Sequence, residues 1–250
     1  MKILALYGGP RKAPLSKTET MLNAFVDGCR DQGAEVKIIK LKDMDIKDCL
    51  GCLSCWWKTP GSCVQKDDMA QIVDDINQSD VEIWATPLYF WGPSALLKRW
   101  LDRCIIMTDP HICIGRDGLT THPRGKQRDR VIISAAGLYE ADHFKWLSEW
   151  AHGLALKAMG PVKLELYRPM AEFLHLHPLR KQWQEILDAT RQAGREFVNY
   201  GKVGQEVIDI VQQELLDTEL FIKQTNEYID WQREIAQRKA RIKSKASSAE

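Results

Sequence analysis

The strongest constraint in this chain is an alternation. Short apolar runs at Ile3–Tyr7, Val36–Ile39, Val81–Ala85, Val131–Ala135 and Val162–Leu166 are separated by helical patterns at Thr18–Gln32, Asp67–Asn77, Ser94–Ile106 and His143–Met159. Each run is too short for a helix and ends in turn residues, as a strand buried on both faces does. Parallel neighbours need crossover connections, and these are right-handed, so the alternation predicts an α/β fold with a doubly wound, five-stranded parallel sheet in the order 2-1-3-4-5. Ligands of such sheets bind beyond the carboxyl ends of the strands, where the winding reverses. The loops after Tyr7, Ala85 and Ala135 are therefore the expected binding loops.

The pattern changes near Pro178. The expected organisation is a binding domain over 1–178, with a cysteine-rich loop at 49–63, followed by a helical extension over 179–250. Arg180–Tyr200 reads as one helix, stopped by Gly201 and Gly204, and Glu206–Lys243 as a second long one. Along the latter, Ile208, Val211, Leu215, Ile222 and Ile229 fall near one stripe, which makes the extension a candidate oligomerisation arm or a cover packed back on its own domain. The basic run Arg233–Lys245 reads as a solvated helix end. The segment Asp109–Arg130, rich in glycine, histidine and charge, fits either a substrate lid or a subunit contact.

With 35 basic and 34 acidic side chains the formal charge is +1, so no global field recruits nucleic acid or an acidic membrane. No apolar run approaches the roughly 20 residues needed to cross a bilayer. Met1 leads straight into the first strand without signal-peptide flanks, and the expected location is cytoplasmic. In that reducing setting, seven cysteines point to metal binding or catalysis more than to disulfides.

The first strand opens into Gly8, Gly9, Pro10 and Arg11, and the following helix starts near Ser16, Thr18 and Thr20. Glycine permits close backbone approach, and the free amides of a helix start, with these hydroxyls, suit a phosphate dianion such as that of FMN. Ser16 or Thr18 serving only as a helix cap is the competing reading. After the third strand, Pro87, Leu88, Tyr89, Phe90, Trp91 and Gly92 place aromatics at the crevice, where a flat ring would stack. Ala136 and Gly137 form a third, small-residue wall.

Residues 49–63 read CLGCLSCWWKTPGSC, so Cys49, Cys52, Cys55 and Cys63 follow an x2, x2, x7 spacing. Three thiolates at successive x2 intervals wrap one corner of a cubane, and a fourth arrives from further along, as in a [4Fe–4S] site. Zinc is a rival, although its structural sites more commonly use two separated knuckles. A loop of free thiols is the third option. Trp56 and Trp57 would shield a cluster or cap the loop. Cys29 and Cys104 read as buried packing residues, and Cys113, near His111, as an isolated thiol. No side chain stands out as a catalytic acid, base or nucleophile. His111, His122 and His143 are near enough in sequence to donate protons.

Three stretches together resemble the flavodoxin-like, NAD(P)H-dependent FMN reductases, and within them the iron–sulfur flavoproteins. They are Gly8–Thr20, similar to the family's GSPR…NT phosphate loop; Gly51 through Cys63 to Asp67-Asp68-Met69; and Ala85–Phe90 followed by Leu97–Arg103. Departures are Gly9 in place of Ser, Lys17 in place of Asn, and an inserted Ala13-Pro14-Leu15. The resemblance implies FMN, one- or two-electron redox chemistry, a homodimer or dimer of dimers, and a [4Fe–4S] cluster on the four cysteines. NAD(P)H or ferredoxin is the implied electron donor. An alternative is a cluster-free NAD(P)H-dependent FMN or quinone reductase. A non-enzymatic flavin- or metal-binding interaction module is the third.

Overall fold

A computed structural model describes residues 1–115, 118–137, 139–157, 159–175 and 179–247. Five parallel strands form the central sheet: β1 (Lys2–Tyr7), β2 (Glu35–Lys40), β3 (Val81–Pro87), β6 (Asp129–Ala135) and β7 (Val162–Arg168), in the order β2-β1-β3-β6-β7. Counted within this sheet, that is the expected 2-1-3-4-5. The extra numbers arise because β4 (Thr108–Gly115) and β5 (Gly118–Pro123) form a separate antiparallel hairpin inside the segment 109–130.

Alternation along β1 sorts the two faces. Leu4 and Leu6 join Trp84, Ile132 and Tyr167 in a core closed by α3 (Met69–Gln78), α4 (Ala95–Arg103) and α5 (Lys145–Lys157). Within it the Trp84 ring meets those of Trp100 at 5.6 Å and Trp150 at 6.0 Å. The opposite face is covered by α1 (Lys17–Asp31), on which α6 (Arg180–Tyr200) packs. A Cβ on Gly28 would stand 1.9 Å from the Arg191 carbonyl oxygen, and one on Gly194 2.1 Å from that of Phe25. The two helix backbones touch there because neither residue carries a side chain.

The chain divides into two compact units, Met1–Gln213 and Glu214–Glu250. By contact, α6 and α7 (Gln205–Gln212) belong to the first; the boundary expected at Pro178 lies outside the described residues. The single helix expected over Glu206–Lys243 is in fact two, α7 and α8 (Thr218–Ser247). Buried Arg168 donates to the carbonyls of Val211 at 2.8 Å and Gln213 at 2.7 Å, which ends α7. The Asp217 carboxylate accepts from the Leu220 amide at 2.9 Å and starts α8.

Candidate functional site

Two separate cavities hold the residues singled out in the sequence. The first is an open cleft of about 570 Å3 at the carboxyl ends of β1, β3 and β6. Nine of the fifteen expected ligand-binding residues line it: Pro10, Arg11, Ser16, Thr18, Pro87, Leu88, Tyr89, Ala136 and Gly137.

The other six do not, and each has a structural reason. The Gly8 amide bonds the Ala85 carbonyl at 2.8 Å and its carbonyl accepts from the Ser94 hydroxyl at 2.5 Å, so Gly8 ties β1 to β3 and to the start of α4. A Cβ on Gly9 would lie 2.1 Å from the Tyr7 hydroxyl. Thr20 turns back to the Ser16 carbonyl at 2.8 Å. Phe90, Trp91 and Gly92 belong to a tight turn in which Tyr89 and Gly92 exchange amide bonds of 3.0 and 3.1 Å. That turn points Phe90 out, 96% exposed, and hands the Trp91 indole to His143 Nδ1 at 3.1 Å.

The cleft is chemically divided. Pro87, Leu88, Ala135, Ala136 and Ala171 give an apolar end, whereas Arg11, Lys17, Ser16 and Thr18 give a cationic and hydroxylic one. The first amides of α1, those of Lys17 and Thr18, have no acceptor within the helix. Ser16 caps α1 by accepting from the Glu19 amide at 3.1 Å. Tyr7 donates its proton to the Arg11 carbonyl at 2.7 Å, which leaves the Ser16 hydroxyl as donor in their mutual 2.6 Å bond. Burial raises the Tyr7 pKa to about 12 against the opposing Ser16 bond, so the phenol stays protonated. Burial lowers the Lys17 pKa, with Glu172 offsetting part of the effect. Arg11 pairs with Glu172 across the mouth at 3.8 Å. A flat ring on the apolar side and a phosphate on the α1 side fit this donor set. Sequence reasoning missed Tyr7, Lys17, Ala171 and Glu172. The last two follow β7, where no motif marks them.

The second is a small hollow lined by Cys49, Cys52, Cys55 and Cys63 together, with Arg103, Ile105 and Ile106. Its loop is closed at the base. Arg103 and Asp67, each 1% exposed, form a two-pronged ion pair of 2.6 and 3.1 Å, and Arg103 also donates to the Lys47 carbonyl at 2.8 Å. Trp56 anchors the short helix α2 (Ser54–Trp57) to the Ile105 carbonyl at 3.2 Å, whereas Trp57 is exposed. Burial raises the Cys55 pKa, and the neighbouring Cys63, Cys49 and Cys52 add to it. Hydrogen bonds from Ser54 lower that of Cys52. Among the described residues, no three His, Cys, Asp or Glu side chains stand where they could hold a metal ion. Four soft thiols around one cavity are the donor set an iron–sulfur cluster requires, and they share that cavity without a preassembled shell.

The loop leaves the carboxyl end of β2 beside the phosphate loop, with Lys42 Nζ 3.2 Å from the Pro10 carbonyl. Its thiols nevertheless lie at the far end of α4. Ser94 caps that helix beside Gly8, and Arg103 ends it at the thiol cavity, a rise of about 14 Å for nine residues. The two cavities share no lining residue.

Cys29 and Cys104 are buried, as expected. Cys113 faces His122 Nδ1 at 3.7 Å, on the hairpin, and His111 instead meets Asp109. Of the three histidines considered, His143 alone contacts the loop that walls the cleft.

A family model described as NADPH-dependent FMN reductase matches residues 1–119. An iron–sulfur flavoprotein of Methanocaldococcus jannaschii is 32% identical over 142 residues, which is 56% of this chain and 70% of that protein. The chain belongs to the FMN reductase family, among the iron–sulfur flavoproteins. An iron–sulfur flavoprotein of Archaeoglobus fulgidus is 35% identical over 103 residues, 41% of this chain and 48% of the relative. The chain spans about half the length of the curated relatives it matches, 46–51% for three of them. Among solved structures, an NAD(P)H:quinone oxidoreductase from Methanothermobacter marburgensis superposes with a TM-score of 0.57 at 18% identity, covering 79% of this chain and 96% of that one. An FMN-dependent NADH-azoreductase from Bacillus anthracis, in complex with FMN, gives 0.57 at 13% identity, covering 80% and 100%. At such identities these two structures establish the shared flavodoxin-like fold. Among the described residues, no helix is long and apolar enough to cross a membrane.

Proposed function

We propose that the chain is a flavin-dependent oxidoreductase that binds FMN in the β1–β3–β6 cleft and a [4Fe–4S] cluster on Cys49, Cys52, Cys55 and Cys63. The observation that carries this reading is that all four cysteines line one cavity, in a chain whose separate cleft has an apolar wall and an anion-binding end. The curated relatives named iron–sulfur flavoproteins support it. When bound, FMN supplies exchange of one or two electrons, and a cluster supplies one at a time. Reduction of an organic or oxygen-derived acceptor, with NAD(P)H or ferredoxin as donor, completes the proposal. A homodimer or dimer of dimers in the cytoplasm is the expected setting.

The protein's own contribution is placement. The α1 amides of Lys17 and Thr18, with Arg11 and Lys17, would hold the phosphate. Pro87, Leu88 and Tyr89 would take one face of the ring, and Ala136 and Gly137 would allow close approach of backbone amides. Arg11 and Glu172, both exposed, pair at 3.8 Å on the lining of the cleft. The Arg103–Asp67 clamp fixes both stems of the cysteine loop, so the four thiols need not be gathered from an open chain.

Iron, zinc and flavin content per chain, on protein purified without oxygen, tests the reading. About four irons and one FMN are expected. FMN with zinc or without metal would overturn the cluster and leave the cluster-free NAD(P)H-dependent FMN or quinone reductase, which the family description also supports. Cys49→Ser should lose the iron and retain FMN.

A further inference from the structure

A further group of buried cationic side chains lies outside the flavin cleft, around a cavity that shares Ile105 with the cysteine cavity. This cavity, of about 180 Å3, opens at the amino ends of β3 and β6, under the residues that return from the β4–β5 hairpin. It shares no residue with the flavin cleft. One side is apolar: Leu101, Ile105, Met107, Leu154 and Met159. The other carries Arg124, Lys126, Arg128 and Arg130, with Glu82 the one acid in the lining among the described residues.

The four cations are not equivalent. Arg124 pairs with Asp109 at 3.0 Å and Lys126 with Asp80 at 2.7 Å. Arg130, 1% exposed, lies over the Trp84 ring at 4.2 Å, donates to the Gly160 carbonyl at 2.8 Å and keeps Glu82 at 3.7 Å. Arg128, 4% exposed, bonds neutral acceptors: the Lys126 carbonyl at 2.6 Å and Asn77 Oδ1 at 3.2 Å. Among the described residues it has no carboxylate partner. The Nε–H groups of both Arg128 and Arg130 are buried without an acceptor. Guanidinium offers five donors in a fixed fork, and a buried cation without a counter-charge is costly. Burial lowers the pKa of both arginines, partly offset by Glu82, and for Arg128 by Asp80; both remain cationic.

We propose that this cavity binds a small amphipathic organic anion, a carboxylate on an aromatic or short aliphatic body, with its head on Arg128 beside Arg130 and its body against Leu101, Ile105, Met107, Leu154 and Met159. The carboxylate would supply the missing counter-charge, and a charge-assisted fork contact is the strongest hydrogen bond available to it. Inorganic phosphate would satisfy the arginines but leave the apolar wall in water. The position, about the length of α4 from the flavin cleft and bordering the cysteine cavity at Ile105, makes it a ligand site separate from that cleft. The inference does not rest on the reading of the cofactors.

The test is calorimetric titration of the full chain as purified, with whatever cofactor it carries, against 4-phenylbutyrate and against its neutral counterpart, 4-phenylbutanamide. Saturable one-site binding of the carboxylate is expected, at least tenfold tighter than that of the amide. Arg128→Gln should weaken the carboxylate at least tenfold and leave the amide unchanged. Leu154→Trp, which fills the apolar end from a partly exposed position and keeps both arginines, should weaken both ligands. It decides the question if the Arg128 variant does not fold. No saturable binding, equal affinity for acid and amide, displacement of FMN by the acid, or wild-type binding by Leu154→Trp would each overturn the proposal.

Discussion

The clamp at the base of the cysteine loop allows a quantitative test. Asp67→Asn keeps the volume of the side chain and removes its charge. In the wild type, Asp67 accepts two bonds from Arg103 and one each from the amides of Lys47 at 3.1 Å and Met69 at 3.2 Å. Burial alone would raise its pKa, but Arg103 and these two amides outweigh that and hold the carboxyl below the usual range. The asparagine oxygen can still accept from an amide; its NH2 group faces a guanidinium that has lost its counter-charge. Because both partners are 1% exposed, no solvent screening softens the loss. Breaking one half of such a pair costs about 3–5 kcal/mol. For a folded unit of this size that is on the order of 10 °C in Tm. Urea unfolding of metal-free protein, followed by tryptophan fluorescence, measures the change without contribution from metal binding. The double variant Asp67→Leu, Arg103→Met should recover much of the loss, because it buries no unpaired charge. A cost for Asp67→Asn below about 1 kcal/mol, the range of an exposed pair, would refute the clamp.

Two further outcomes follow from local geometry. Hydrogen bonds from Arg191 and Arg195 hold the Asp31 carboxyl well below its ordinary value, so their stabilisation is present above about pH 4 and is lost as pH falls through the folded value. In unfolding titrations, the stability gap between wild type and Asp31→Asn should therefore close on acidification; a gap that widens in acid would contradict this. Phe90 and Trp91 hold positive φ of 46° and 60° in a turn that favours Asn-Gly, so Phe90→Asn should gain up to about 1 kcal/mol of stability and keep wild-type FMN content. Loss of flavin in that variant would return Phe90 to the binding site.

The alternation of strand and helix was readable because a parallel strand buried on both faces leaves an uninterrupted apolar run, and local spacing suffices to see it. Gly8–Thr20 and the cysteine loop could be singled out as candidates for the same reason, since their residues are contiguous in the chain. The long helix expected after Glu206 failed because Arg168, some forty residues earlier, takes the carbonyls that would have continued α7. No periodicity within that segment records its visitor. Likewise Phe90 and Trp91, aromatic and beside prolines, read as ring-stacking residues; they belong to a tight turn and are not among the residues that line the cleft.

Sequence alone determined the sheet, its order, the position of the cleft and the four candidate thiols, because each depends on residue type at short spacing. Tertiary structure decided how far apart these parts lie. The cysteine loop leaves β2 next to the phosphate loop, yet Arg103 and Asp67, 36 positions apart, draw its thiols to the opposite end of α4. It also decided that Glu172 lines the cleft opposite Arg11 and that, among the described residues, Arg128 is buried without a carboxylate partner. Those outcomes rest on contacts between segments distant in the chain, which no short-range spacing of residue types records.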